Sequence, residues 1–210
     1  ERIASLMIDS GELERALGQI DTLLANERRE AAESLLTRLF QLPEARRDAD
    51  ASATLAEAAS ARLCDLYRQA ERTADVRRVR TEELGFVRES SRRLLLLKEL
   101  CDLHQLLPDD TEAAFEIVSE LVITEPEDED SRQFLASLAK ALGRTKARVE
   151  TLLAAAEVAP SPGVAVAVLR EAALECDATL DDPARAAELY DLALEKVDAE
   201  DGALREILQA

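Results

Sequence analysis

The sequence predicts an all-α fold built from stacked antiparallel helix pairs, and three observations lead to that prediction. Apolar residues recur at helical spacing along almost the whole chain, and no segment alternates apolar and polar residues as a half-buried strand does. Six glycines and six prolines in 210 residues are too few for the turns of an all-β chain. Aromatic residues make up 3 % and Trp is absent, so Leu, Ala and Val must form the core, which favours close helix-on-helix packing.

The helical periodicity predicts about ten or eleven helices joined by short polar turns. A short stub at residues 1–9 precedes the first long segment, and a polar break at 43–52 separates the second segment from the third. The predicted helical segments are 11–26, 29–42, 55–69, 74–87, 92–107, 109–123, 130–143, 145–159, 163–178 and 183–197.

Residues typical of helix ends lie at several of these boundaries. Asp110 and Thr111 are favourable N-cap residues for the segment that follows them, with Glu112 in its first turn. Gly143 follows a helical segment directly, where a left-handed glycine often ends a helix. Pro183 occupies a first turn, where proline is tolerated. The helix boundaries are therefore predicted by local chemistry as well as by periodicity.

The sequence repeats itself at intervals of one helix pair. The segment 62–84 aligns with the segment 99–121, so that Cys64 matches Cys101 and Tyr67 matches His104. The period is about 34–38 residues, which is shorter than the roughly 40–47 residues of HEAT and armadillo units.

The C-terminal helical stretch resembles the second helix of a tetratricopeptide repeat (TPR). That family has a small residue early in the helix, a bulky one a turn later, then Ala, then Pro or Asp after the helix; Ala186, Tyr190, Ala193 and Asp198 fit this order. The preceding unit, residues 130–160, fits the family pattern at Leu135, Ala136, Gly143, Leu152, Ala155 and Pro160. The chain departs from it at Arg77 and Arg148, which replace the small residue that opens the second helix, and no unit has the first-helix Trp.

The resemblance implies a right-handed α-solenoid of antiparallel helix pairs with four repeats, at 55–90, 91–127, 128–161 and 162–200. Residues 1–54 are then divergent or partial repeats, and residues 201–210 begin a truncated further helix. The chain starts with Glu1 rather than Met, and both ends interrupt a repeat. We therefore expect the chain to be part of a longer protein.

The resemblance also implies that the first helices line a concave groove. The side chains at the corresponding positions are Asp65, Arg68, Lys98, Asp102, Gln105, Gln133, Ser137, Lys140, Arg170 and Asp177. Mixed charges and amides suit an extended peptide or a partner helix. The Lys/Asn clamp that some family members use for a terminal carboxylate is not reproduced, because Asp65, Asp102 and Ser137 stand at its Asn positions.

These features predict a non-catalytic protein-interaction scaffold. One alternative is a regulatory or sensor segment of a larger signalling or transcription protein, which would engage its own neighbouring domains. An alternative from another class is a helical enzyme with a carboxylate site, although the Glu-x-x-His pattern of such sites is missing. No phosphate-binding glycine motif occurs, so no cofactor is predicted.

The charge and the cysteine content of the chain indicate which kind of partner and which cellular compartment to expect. The formal net charge is −18, and most of the acidic excess lies after residue 90. An acidic surface repels nucleic acid, so nucleic-acid binding is not predicted. The negative charge is expected either to keep the protein soluble or to attract a basic protein partner. No apolar run reaches the roughly 18 residues of a membrane span, so membrane insertion is not predicted. Three cysteines without metal or redox spacing indicate a reducing compartment and a cytoplasmic location.

Three further clusters have both a structural and a functional interpretation. Cys101 and His104 could share a helix face, but their repeat partners favour packing over a nucleophile pair. The acidic run at 125–130 lacks calcium-loop spacing, which favours a solvated turn before the next helix. The basic island at 76–80, with Arg72, Arg88, Arg92 and Arg93 near it, is predicted to be a solvated face paired with Glu71, Glu82, Glu83 and Glu89, or else a contact for an acidic partner.

Overall fold

The structure, a computed structural model, describes residues 1–43 and 54–196. These ranges contain eleven α-helices and no strand, which confirms the all-α prediction. The helices are α1 (Arg2–Asp9), α2 (Leu13–Ala25), α3 (Arg29–Gln41), α4 (Leu55–Gln69), α5 (Thr73–Leu84), α6 (Ser90–Leu106), α7 (Thr111–Thr124), α8 (Glu129–Leu142), α9 (Thr145–Val158), α10 (Pro162–Ala178) and α11 (Pro183–Lys196).

Each of the ten predicted segments contains one helix, α2 to α11, and the N-terminal stub forms an additional helix, α1. The stub is helical because Ala4 and Ile8 lie one turn apart and are both buried, and α1 packs against α2. Most of the predicted polar break, the residue Asp198 and the predicted helix at 201–210 lie outside the described residues.

The chain divides into two compact units, Glu1–Leu96 and Leu97–Ala210. In the first unit, each of α1 to α4 packs against the next helix along the chain, and α2 also contacts α4. In the second unit, α8 and α9 pack together as a pair, as do α10 and α11, and α7 contacts α9. Helices thus pair with their sequence neighbours, and alternate helices also touch. This is the stacking that the repeat period predicts.

The core of the second unit shows why the repeats carry alanine at fixed positions. Ala155 and Ala193 are completely buried, so they sit where neighbouring helices leave little room. In α11, Leu189 rather than Tyr190 is the fully buried large side chain, and Tyr190 is half-buried. Leu189, rather than the Tyr190 that matches the bulky position of the family pattern, is therefore the large side chain packed in the core. Leu189 lies three residues after Ala186 and four before Ala193, which puts it on their face.

A recurrent left-handed turn joins the helices of several pairs. Glu71 between α4 and α5 has φ 58°, and Gly143 between α8 and α9 has φ 66°. In both turns the next residue donates a backbone hydrogen bond of 2.8 Å to a carbonyl near the helix end, Arg72 to Tyr67 and Arg144 to Ala139. This arrangement ends a helix and starts a reversal within few residues. The prediction that Gly143 is a C-cap glycine is confirmed.

Candidate functional site

A groove of about 840 Å³ opens on the second unit, between the second half of α6, the start of α7 and α8. Lys98, Asp102 and Gln105 line it from α6, and Gln133 and Phe134 line it from α8. Successive turns of α6 contribute these side chains because residues three or four apart lie on one helix face. The groove is therefore built chiefly from first helices of two successive pairs.

The floor of the groove is largely apolar. Ala114, Leu121 and Leu138 are buried beneath it, and Phe134 is half-buried beside them. These side chains belong to the hydrophobic core of the second unit, so the floor is held in place by helix packing. An aliphatic or aromatic side chain that entered the groove would remove apolar surface from water on both partners.

The rim carries an excess of negative charge. Four aspartates, Asp102, Asp110, Asp128 and Asp130, line the groove, together with one lysine, Lys98. The Lys98 ammonium lies 2.8 and 2.7 Å from the two carboxylate oxygens of Glu125. This hydrogen bond raises the pKa of Lys98, so the lysine stays charged and is neutralised locally. The potential in the groove is therefore set by the aspartates.

Two of the aspartates also have a structural role as helix N-caps. Asp110 accepts a 3.1 Å hydrogen bond from the backbone amide of Ala113 at the start of α7. Asp128 accepts hydrogen bonds from the backbone amide of Asp130 at 3.2 Å and from the Ser131 hydroxyl at 2.6 Å at the start of α8. The acidic run at 125–130 was predicted to form a turn before the next helix, and the capping by Asp128 confirms this prediction. Asp102 in α6 and Asp130 in the first turn of α8 are exposed and cap neither helix.

The structure brings four of the ten predicted groove residues together, namely Lys98, Asp102, Gln105 and Gln133. The other predicted residues of the second unit are exposed but do not line this groove: Ser137, Lys140, Arg170 and Asp177. Asp65 and Arg68 belong to the first unit, where they are exposed and pair with each other at 3.1 Å.

Several lining residues were not predicted, and they come from the turns before α7 and α8 and from the first residues of these two helices. They are Pro108, Asp110, Thr111, Asp128 and Asp130. Their acidic turns were visible in the sequence, but a helix-position pattern contains no information on where a turn lies relative to a neighbouring helix.

Cys101 and His104 lie within the wall of the groove and are almost fully buried. Burial raises the pKa of the Cys101 thiol, and its sulfur accepts a long contact of 3.8 Å from the Gln105 amide. A protonated thiol is a weak nucleophile. The packing interpretation of this pair therefore accounts for its position, as it does for the buried repeat partners Cys64 and Tyr67.

A buried ion network joins three helices of the second unit. Arg148 in α9 lies 2.5 Å from Glu175 and 3.3 Å from Glu171, both in α10. Arg132 in α8 lies 3.0 Å from Glu171 and also donates to the carbonyl of Pro126. Arg148 was a departure from the small residue of the TPR pattern. The structure explains this departure, because the Arg148 guanidinium forms ion pairs with two carboxylates of the next helix pair.

One arginine of the basic island in the first unit is enclosed rather than solvated. Arg80 is buried and lies 2.6 Å from the fully buried Glu83, which also accepts hydrogen bonds from Ser60 and Arg92. The expectation of a solvated face is therefore wrong for Arg80 and Glu83. The i, i+3 spacing of Arg80 and Glu83 is visible in the sequence. Their partner Ser60 lies in another helix, so the sequence pattern did not predict the enclosed cluster.

Two other arginines of the island are paired with carboxylates at the surface. Arg72 lies 2.9 Å from Glu33 and 2.7 Å from Asp75, and its guanidinium stacks 4.4 Å from the ring centre of Tyr67. Arg78 contacts Asp75 as well. These carboxylates neutralise Arg72 and Arg78 locally.

Comparisons with known proteins give similarity in structure but not in sequence. No family model and no curated protein sequence matches the chain. A crystal structure of YrrB, described as a TPR protein with an unusual peptide-binding site, matches with a TM-score of 0.37 and 17 % sequence identity. The match covers 98 % of this chain and 88 % of the YrrB chain.

The described part of the chain has neither a membrane-spanning helix nor a cluster of metal-binding side chains. Among residues 1–43 and 54–196, no helix is both long and apolar enough to span a membrane. The same part of the chain contains no group of three or more His, Cys, Asp or Glu side chains arranged to hold a metal ion.

Proposed function

We propose that the chain is a non-catalytic protein-interaction module that binds an extended peptide or a partner helix in the groove of its second unit. The observation that carries this proposal is the groove itself, which has an apolar floor and a polar rim on a rigid frame of packed helices. Sites of this kind bury a few apolar side chains and fix the orientation of the ligand with polar groups.

The size and composition of the groove support a peptide rather than a small metabolite. A volume of about 840 Å³ lies at the upper end of ordinary ligand pockets, and the groove is open to solvent rather than enclosed. Gln105 and Gln133 offer amide donors and acceptors on its two sides, as recognition of a peptide backbone requires. YrrB, whose structure is described as having a peptide-binding site, is consistent with this class of function.

Selection from an unbiased display library of 12-residue peptides on the 210-residue chain would test the proposal. Gln105→Trp places an indole at the mouth of the groove, and we expect it to abolish binding of the selected peptides. Glu150→Trp is the matched control, because Glu150 is an exposed residue of α9 that does not line the groove. It should leave binding within about twofold of wild type, since surface changes away from a contact have small effects.

The result that would contradict the proposal is equally specific. Peptides that bind wild type and Gln105→Trp equally well would show that the binding surface lies elsewhere on the chain. Failure to select any peptide above the background of an uncoated surface would argue against a peptide-binding module.

A further inference from the structure

We infer that the groove of the second unit selects a cationic segment in which an apolar side chain is flanked by Lys or Arg residues. This inference rests on the proposed function and adds the chemistry of the partner. Two features of the groove lead to it, the aspartate-rich rim and the apolar floor between its walls.

The negative charge of the rim predicts a positively charged partner. Asp102 lies on α6 and Asp130 lies on α8, so exposed carboxylates stand on the two helices that form the walls. The one lysine that lines the groove is already paired with Glu125, so an incoming carboxylate would face aspartates without a free ammonium to bind it. Like charges placed together in this way weaken binding, whereas an incoming Lys or Arg strengthens it.

The capping roles of two aspartates indicate which carboxylates of the rim are available to pair with cations of the ligand. Asp110 and Asp128 each direct at least one oxygen to a backbone amide at a helix start. Asp102 and Asp130 have no capping role, which leaves their carboxylates available for charge-assisted hydrogen bonds. We therefore assign the recognition of the two flanking cations to Asp102 and Asp130.

The floor of the groove determines what lies between the cations. Ala114, Leu121 and Leu138 form an apolar base, and Phe134 offers part of its ring beside it. A lysine ammonium or an arginine guanidinium buried there would lose its hydration without a partner, which is unfavourable. A Leu, Ile, Met or Phe side chain fits that base, while long basic side chains reach the rim. This distinguishes the predicted ligand from a purely polybasic tract.

A metal ion is a poor alternative occupant for the same carboxylates. The aspartates of the rim come from α6, the start of α7 and the start of α8, and no group of three or more His, Cys, Asp or Glu side chains in the described residues could hold a metal ion. Ca²⁺ takes six to eight oxygen ligands, several of them from carboxylates that lie close together. The spread of negative charge suits several cationic side chains along one segment instead.

The test uses the display library described above and then a fluorescence polarisation titration of the most enriched peptide. We expect Lys and Arg on both sides of an apolar residue in the enriched sequences. Asp102→Lys and Asp130→Lys should each weaken binding by about tenfold or more, which corresponds to about 1.4 kcal/mol. The control Glu150→Lys makes the same change of charge at an exposed position outside the groove and should change affinity by no more than about twofold.

Salt and stability controls separate recognition from a structural effect. Binding should weaken steeply between low and physiological ionic strength for wild type and less steeply for Asp102→Lys, because screening acts on charges that remain paired. Both variants should unfold within a few degrees of wild type, since the two aspartates are exposed. Weakened binding with preserved unfolding is the result that supports the inference.

The failures of the two proposals are distinguishable. Selected peptides that are neutral or acidic, yet lose binding in Gln105→Trp, would overturn the cationic partner and leave the peptide-binding groove intact. Cationic peptides that bind Asp102→Lys and Asp130→Lys as tightly as wild type would overturn the assignment of these two aspartates. Peptides that bind Gln105→Trp as well as wild type would overturn both proposals.

Discussion

The guanidinium of Arg148 lies 2.5 Å from the carboxylate of Glu175, and this contact joins the second helix of one pair to the first helix of the next. Only 6 % of the Arg148 side chain is exposed, against 26 % for Glu175. The arginine has thus been taken out of water while its partners remain at the edge of solvent. A guanidinium in such a position requires its carboxylates, because an uncompensated buried charge is strongly unfavourable.

Removal of the two carboxylates should therefore destabilise the second unit more than removal of the arginine. We expect Glu171→Ala combined with Glu175→Ala to lower the free energy of unfolding by about 3 kcal/mol, since Arg148 is then left buried without these partners. Arg148→Met should cost less, because a flexible apolar side chain can fill the same volume. Urea denaturation of the three proteins measures the difference.

An exposed ion pair provides the control for this comparison. Arg185 and Glu188 contact each other at 2.6 Å, but their side chains are 44 % and 62 % exposed. Arg185→Ala should change the free energy of unfolding by no more than about 0.5 kcal/mol, as for ordinary surface pairs. Equal effects at the two sites would show that burial does not control the contribution of the Arg148 network.

The buried alanines of the repeat set the spacing of neighbouring helices. Ala155 and Ala193 are completely buried, so a Leu at either position must displace its neighbours. We expect Ala155→Leu and Ala193→Leu each to lower the free energy of unfolding by about 1–3 kcal/mol through overpacking. Ala141→Leu, at an exposed position of α8, is the control and should have an effect within about 0.5 kcal/mol. Thermal unfolding unchanged in both buried variants would contradict the helix packing described above.

The left-handed turn residues offer a change that should stabilise the protein. Glu71 adopts φ 58°, a conformation that costs an ordinary residue about 1–2 kcal/mol and costs glycine little. Part of that gain is offset because glycine is more flexible in the unfolded chain. We therefore expect Glu71→Gly to raise the free energy of unfolding by about 0.5–1 kcal/mol in denaturant titrations.

Gly143 provides the converse experiment. It has φ 66° in the equivalent turn, and the space around its Cα would admit a methyl group without a clash. Gly143→Ala should therefore destabilise the protein by about 1 kcal/mol through backbone conformation alone. A destabilising Glu71→Gly together with a neutral Gly143→Ala would show that these turns relax on substitution.

The helices could be predicted from the sequence because their signals are local. The spacing of apolar residues, the N-cap residue Asp110 and the C-cap residue Gly143 all act within one or two turns. The repeat period then predicted which helices pair, because stacked units must bury the same positions in each copy.

The groove and the ion networks could be predicted only in part, since they depend on residues distant in sequence. Asp102 and Gln133 follow from their first-helix positions, but Asp128 and Asp130 enter the groove because the turn before α8 lies beside α6. An isolated arginine in a helix also looks like a solvated side chain. The burial of Arg148 requires Glu175 on another helix, which no local pattern indicates.

The ion cluster around Asp75 should make the stability of the first unit dependent on pH. Burial alone would raise the pKa of Asp75, but hydrogen bonds from Arg72 at 2.7 Å and Arg78 at 3.2 Å outweigh it and lower the pKa below its usual value. A carboxyl whose pKa is lower in the folded protein contributes stability above its unfolded pKa of about 3.9, and that contribution is lost as the pH falls through the folded value. Asp75→Asn should therefore lower the melting temperature at neutral pH, and its difference from wild type should shrink below about pH 4.

The matched control is Asp191→Asn, which makes the same substitution at an exposed position of α11. Its melting temperature should follow that of wild type across the whole range of pH, because asparagine and aspartate have similar helix propensities. Circular dichroism melts at intervals of half a pH unit would measure both variants. If the difference between Asp75→Asn and wild type were constant with pH, the carboxylate charge would not be the source of the stabilisation, and the packing of Arg72 against Tyr67 would account for it instead.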